Sequence, residues 1–208
     1  MYRIMAVSNR LYNSRVSIQI RTEIVRKAIH LLIALVPLLA SIDVSFTMGL
    51  LGAGTLFYIF AEHARRRGVS VLFISDLTVI ASRARDRGRF VLGPVTLGIG
   101  AMLALLLYPG EASIIAIYAL AFGDSVASLV GKMIGGPVLP FTKGKTLAGS
   151  LACFTVVFAV TNRMTGNLSI AIVVALAAAI FEAMPATDMD NIIVPVGTGF
   201  VAYHLLVF

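Results

Sequence analysis

The chain has 208 residues, 59% of them hydrophobic and only 13% charged, with a mean hydropathy of +0.94. A soluble domain of this length would show more charge, so composition excludes that class and points to a multi-pass membrane protein. The net charge of +7 does not imply a nucleic-acid partner. The cations sit in loops beside apolar runs, where anionic headgroups account for them.

Residues 1–24 mix Arg with isolated apolar positions and read as a juxtamembrane segment lying along the headgroups. Seven spans follow, roughly Ala28–Ile42, Val44–Ala61, Phe90–Tyr108, Ala112–Gly131, Leu147–Asn162, Leu168–Pro185 and Ile192–Phe208. The first and fifth are short and would borrow flanking residues. Between the second and third lies VSVLFISDLTVIA, Val69–Ala81, too short to span and so interfacial or re-entrant. The RARDRGR run after it, Arg83–Arg89, reads as a solvated, lipid-facing charge cluster. The lone Cys153 sits in an apolar stretch and reads as a small core residue.

With seven spans, sixteen of the seventeen basic residues fall on one side, and Arg163 alone falls opposite. The positive-inside rule then sets the N-terminus in the cytoplasm and the C-terminus outside. The expected class is an all-α, single-domain membrane protein over residues 1–208.

Polar residues inside a bilayer need a reason. Asp124 lies ~18 Å from the outer end of its span at helical rise, in the cytoplasmic half. Glu62, Glu182, Lys27 and His30 reach the same face, and Asp188, Asp190 and Asn191 lie in the short link between the last two spans. On a helix, Gly123, Ala127, Gly131 and Gly135 form a small-residue stripe that admits a close backbone. Asp124, Ser128 and Lys132 form a second stripe beside it, and Lys143 and Lys145 follow in a Gly-bearing loop. This is an acid for a metal and cations for phosphate, set at a membrane surface. Bland readings stand beside it: a packed transporter helix with a basic loop, an i,i+3 ion pair for Glu62 and Arg65, and a helix end for Glu182 before Pro185. GKT at Gly144–Thr146 is not a Walker loop, because Leu139 stands where that motif needs Gly and no strand precedes it.

Six segments carry a resemblance: RKAIH (Arg26–His30), EHAR (Glu62–Arg65), GPVTLGIG (Gly93–Gly100), FGDSVASLVGKMIG (Phe122–Gly135), KGKTLAGS (Lys143–Ser150), and Glu182 followed by DNIIVP (Asp190–Pro195). In these the chain resembles the CTP-dependent polyprenol kinase family, which includes dolichol kinase, phytol kinase and a CTP-using diacylglycerol kinase. It is more distantly similar to CDP-diacylglycerol synthases. One position departs from the family pattern: Ala148 stands where an acid usually precedes the last Gly-Ser.

The resemblance implies Mg²⁺-dependent phosphoryl transfer from CTP to the hydroxyl of a membrane lipid alcohol, at the cytoplasmic face of a cell membrane. Asp124, Lys145, Asp190 and Glu182 are the catalytic candidates, with Asp124 and Asp190 for the metal. Gly123, Ser128, Gly131, Lys132, Gly135, Lys143, Thr146, Gly149 and Asn191 are the candidates for holding the nucleotide. Lys27, His30, Glu62 and Arg65 would line the substrate side. Two alternatives stay open: a cytidylyltransferase that makes a CDP-lipid, and a small ion-coupled transporter.

Overall fold

The computed structural model describes residues 20–86, 88–186 and 188–207, and among them every regular element is helical. Arg3, Arg10, Arg15 and Arg87, used above for orientation, lie outside the described residues, as does Phe208. The helices are α1 (Ile20–Ile42), α2 (Val44–Arg66), α3 (Leu72–Ala81), α4 (Gly93–Leu107), α5 (Glu111–Ile134), α6 (Leu147–Thr165), α7 (Leu168–Ala183) and α8 (Asp190–Val207). Five of them (α1, α2, α5, α6 and α8) are long and apolar enough to cross a membrane. The apolar helices α4 and α7 have 15 and 16 residues and fall short of that length. Each of the seven expected spans falls on a helix, and five of these helices meet the length for crossing.

The first span is longer than its apolar run suggests. Helix α1 starts at Ile20, so residues 20–24 are its first turns rather than part of a headgroup segment. A 3-10 stretch at Leu32–Leu35 tightens the helix just before Pro37, which has no N–H to give to an α-type ladder. Asp43 alone separates α1 from α2, and its side chain caps α2 by accepting from the Phe46 amide at 2.7 Å. Thr146 and Asn167 cap α6 and α7 in the same way.

Helix α5 is the axis of the molecule. In its apolar window 56% of residues are buried, against 11–33% in the other four long helices. It packs on α1, α4, α6, α7 and α8. The main core gathers Ile115, Ala119 and Ala127 of α5 with Cys153, Val157, Val174, Ala178 and Val194. Outward faces carry bare apolar side chains such as Leu38, Ile42, Phe46, Leu56 and Phe60. That is the inverse of a soluble surface and suits lipid.

Glycines set the close approaches. A Cβ on Gly149 would lie 2.7 Å from the Ala127 carbonyl, and one on Gly123 would touch Val157 and Cys153. The small stripe of α5 thus packs on α6 within the chain. Gly135 does not join it: it ends the helix at φ +69° with open space around it.

Candidate functional site

A π turn at Ala119–Gly123 interrupts α5, and the Asp124 amide donates to the Ala119 carbonyl across it. Such bulges rotate the residues that follow. Here they leave Asp124 buried, just past the middle of the helix. Lys27 of α1 donates to Asp124 Oδ2, and His30 Nε2 stands 3.3 Å from the same oxygen without hydrogen-bond geometry. Lys27 and His30 are one turn apart on the buried face of α1. The acid of α5 and the RKAIH segment therefore meet directly.

Two cavities adjoin this acid. One, about 220 Å³, is walled by Tyr58, Ile74, Leu77, Leu92, Pro94 and Leu97, with Lys27 and His30 at its polar end. Helix α3 supplies part of that wall through Ile74, Leu77, Thr78 and Ala81, while Leu72, Phe73 and Val79 face outward. The other cavity, about 360 Å³, is polar: Ser128, Lys132, Lys143, Gly144, Lys145, Thr146 and Glu182 line it. Arg26, Arg83, Asp124 and Asp190 line both.

The Lys-bearing loop folds back on itself. Val138 bridges Thr146, the Leu139 amide donates to the Lys145 carbonyl at 2.9 Å, and the Leu147 amide to the Pro137 carbonyl at 3.0 Å. This delivers Lys145 to Glu182, to which its ammonium donates. Burial alone would lower the Lys145 ammonium, but Glu182 and Asp124 outweigh it and hold it above its ordinary range. Glu182 Oε2 is buried without a hydrogen-bond partner.

The sequence candidates separate into groups. Asp124, Asp190, Glu182, Lys145, Lys143, Lys132, Ser128, Thr146, Gly131 and Gly149 share the polar cavity. Lys27 and His30 reach Asp124 from the apolar one. Asn191 lines the apolar cavity, but its side-chain amide donates to the Gly93 carbonyl at 3.0 Å and to Thr96 Oγ1 at 2.9 Å, tying α8 to α4. Gly123 packs against α6 and Gly135 is a helix end, so neither lines a cavity. Glu62 and Arg65 also stand outside both cavities. Arg65 grips Glu62 at 2.6 and 2.7 Å, and the Val91 amide donates to Glu62 at 3.0 Å, fastening the end of α2 to the approach to α4.

Three residues of the site escaped the sequence reading. Arg83 and Arg85 belong to the run expected to face lipid. Instead Arg83 lines both cavities, and Arg85 lines the polar one and reaches Asp188 at 2.6 Å. The reason is that Arg83 and Arg85 meet acids of the fold, buried Glu23 and half-exposed Asp188. The third is Glu23, buried on α1 and in contact with Arg26, Ser128, Lys132 and Arg83. Its spacing to Lys27 and His30, at i+4 and i+7, was the available signal.

Among the described residues no three His, Cys, Asp or Glu side chains gather into a metal cage. A hard dication such as Mg²⁺ does not need one, because it takes one or two carboxylates and fills its shell with phosphate oxygens and water. The donor set fits that habit. Lys27 and His30 both approach Asp124 through Oδ2, which leaves Oδ1, and Asp190 shares both cavities with it.

No protein-family model matches the chain, and no solved structure matches it. Curated relatives do. A probable phytol kinase of Triticum aestivum, described as chloroplastic, is 31% identical over 153 residues, which is 64% of this chain and 51% of the relative. Probable phytol kinase 2 of Glycine max is 30% identical over 134 residues, 54% of this chain and 45% of the relative. A probable phytol kinase of Zea mays matches at 30% over 134 residues, 54% and 43%. The chain spans about half the length of the curated relatives it matches. Over more than half of its own length, then, this helical membrane chain is similar to probable phytol kinases.

Proposed function

We propose that the chain is a lipid-alcohol kinase that moves the terminal phosphoryl group of CTP to the hydroxyl of a phytol-like isoprenoid alcohol. The observation that carries this reading is the pair of cavities, one apolar and one cationic, that share Asp124, Asp190, Arg26 and Arg83. Phosphoryl transfer asks for positioning and charge neutralisation rather than covalent chemistry by the protein. Both are supplied where a greasy chamber meets a cationic one.

The alcohol lies in the apolar cavity with its hydroxyl toward Asp124 and Asp190. Lys132, Lys143, Lys145 and Arg83 take up the triphosphate charge, and Thr146 and Ser128 offer hydroxyls. Bound Mg²⁺ would neutralise the phosphate oxygens, and Asp124 is the carboxylate to hold it. The hydroxyl oxygen forms the new bond to the terminal phosphorus as the bond to the leaving diphosphate breaks, releasing CDP. Asp190, lining both cavities, is the acceptor for the hydroxyl proton. Lys145 stays charged through this step because Glu182 holds it.

We place the site at the cytoplasmic face of a seven-span bundle, with α4 and α7 crossing as short helices where the other five flank them.

The test is transfer from labelled nucleotide by purified protein to a panel of lipid alcohols. Label from γ-labelled CTP should appear in a phytol-like alcohol, with ATP a poorer donor. Asp124→Asn should lower kcat by about 100-fold or more at unchanged expression. Cytidine or α-label in the lipid would make the protein a cytidylyltransferase instead. Nucleotide-free uptake of a solute into vesicles, with no transfer, would make it a transporter.

A further inference from the structure

Four donors converge on one buried carboxylate that neither cavity touches. Glu23 is 1% exposed. Its Oε1 accepts from Arg26 at 2.6 Å and Ser128 at 2.7 Å and lies 3.6 Å from Arg83; its Oε2 accepts from Lys132. The donors come from α1, from α5 and from the loop after α3, and all four line the polar cavity.

Three cations held this close would repel and spread if nothing stood between them. A single carboxylate in their midst fixes them and leaves the group with a net positive charge toward the cavity. Burying a carboxylate in a membrane bundle is costly unless it is fully paired. Glu23 meets that condition only through residues that line the cavity, so the packing of α1 on α5 and the shape of the cationic wall are one arrangement.

We infer that Glu23 is a positioning residue for nucleotide, holding Arg26, Arg83, Ser128 and Lys132 as a preset cradle for the phosphate chain. The inference rests on the kinase reading. It assigns Glu23 no contact with the lipid alcohol and none with the reacting atoms. Its effect must therefore grow with the number of phosphates on the ligand and be smaller on the alcohol site, which shares only Arg26 and Arg83 of the four.

The experiment uses full-length protein in lipid nanodiscs and measures equilibrium binding of a non-hydrolysable CTP analogue and of CMP, with KM for the alcohol measured alongside. Glu23→Gln keeps the shape and removes the charge. It should weaken the triphosphate about tenfold, a change of ~1.4 kcal/mol, and CMP about twofold or less, with the alcohol KM changing by less than the triphosphate affinity. Glu23→Asp, with the charge kept but withdrawn by one methylene, should fall between wild type and Gln. Equal weakening of both nucleotides, an unchanged triphosphate affinity, or a shift confined to the alcohol KM would each overturn the assignment. If Glu23→Gln does not fold, the Asp variant decides, and a wild-type triphosphate affinity there overturns it. Should wild-type protein bind no triphosphate at all, the kinase reading falls first and this assignment with it. A wild type that binds while Glu23→Gln binds equally well removes Glu23 alone.

Discussion

Asp124 and Glu62 are both buried acids gripped by a basic partner, yet their surroundings give them different work. Asp124 borders two cavities and takes its partners from a distant helix. Glu62 borders none, and its partners are its own helix neighbour Arg65 and the Val91 amide. A buried acid that accepts from its own helix and a neighbouring amide is poorly placed to meet substrate, so Glu62 is expected to serve the scaffold. Glu62→Ala strands the Val91 amide and the Arg65 guanidinium, which costs about 2–4 kcal/mol. The expected result is a lower Tm in detergent with KM for nucleotide and alcohol unchanged. A rise in either KM at unchanged Tm would bring the pair back into the site. Lys145 differs in lining a cavity. Its ammonium is held charged there, and Lys145→Met should raise the nucleotide KM and lower kcat together, with Tm falling as well because Glu182 loses its partner.

Helix α5 shows what a sequence can and cannot deliver at the scale of an element. Its apolar run, its small stripe and its buried acid were legible, because helical spacing alone puts Gly123, Ala127 and Gly131 on one face. The π turn before Asp124 was not, since nothing in ALAFG distinguishes an i→i+5 bond from an i→i+4 one. The start of α1 was missed for a related reason. Residues 20–24 are too polar for a hydropathy window, and the burial of Glu23 among them rests on its pairing with cations from two other elements. Arg83 and Arg85 were misread because a charge run carries no mark of which way the chain turns after it. Close helix contacts are a further element-scale property, and glycine substitutions measure them. A Cβ at Gly100 would lie 1.9 Å from the Asn191 carbonyl, where α4 meets α8, whereas one at Gly52 meets nothing within 4 Å. Gly100→Ala must push two backbones apart and should cost about 1–3 kcal/mol. Gly52→Ala sits in an open helix interior and should be neutral or stabilising by about 0.5–1 kcal/mol. Paired melting curves check this, and equal effects would mean that α4 and α8 are not in contact there.

At the scale of the whole molecule the question is how the cationic cavity comes to face one side of a membrane. Toward one end of the bundle α1, α2, α5 and α7 carry Lys27, Glu62, Lys132 and Glu182, and the loops at that end hold Arg83, Lys143 and Lys145. This requires α4 and α7 to cross despite having 15 and 16 residues. At a rise of about 1.5 Å per residue each covers roughly 22–24 Å, less than the ~30 Å hydrocarbon core, so the bilayer thins beside them or the flanking turns complete the path. Both pack against α8, so protein rather than lipid covers much of their length and the mismatch is cheaper than for a peripheral helix. Single-cysteine labelling tests this in a chain whose native Cys153 is fully buried. Between Arg89 and Arg163 lie α4, α5 and α6; between Arg163 and Met189 lies α7 alone. If all four cross, an impermeant maleimide should reach Arg89→Cys and Met189→Cys from one side of the membrane and Arg163→Cys only from the other. Labelling of Arg89→Cys and Arg163→Cys from the same side would mean that α4 does not cross. Labelling of Arg163→Cys and Met189→Cys from the same side would remove α7. In the first case the Arg-bearing loop after α3 and the Lys-bearing loop after α5 keep only α5 between them, on opposite faces, and the cationic cavity that both of them line could not exist as described. On the kinase reading the positive-inside bias and the cavity would be two views of one arrangement, because the cations that would orient the chain include those that would meet the triphosphate.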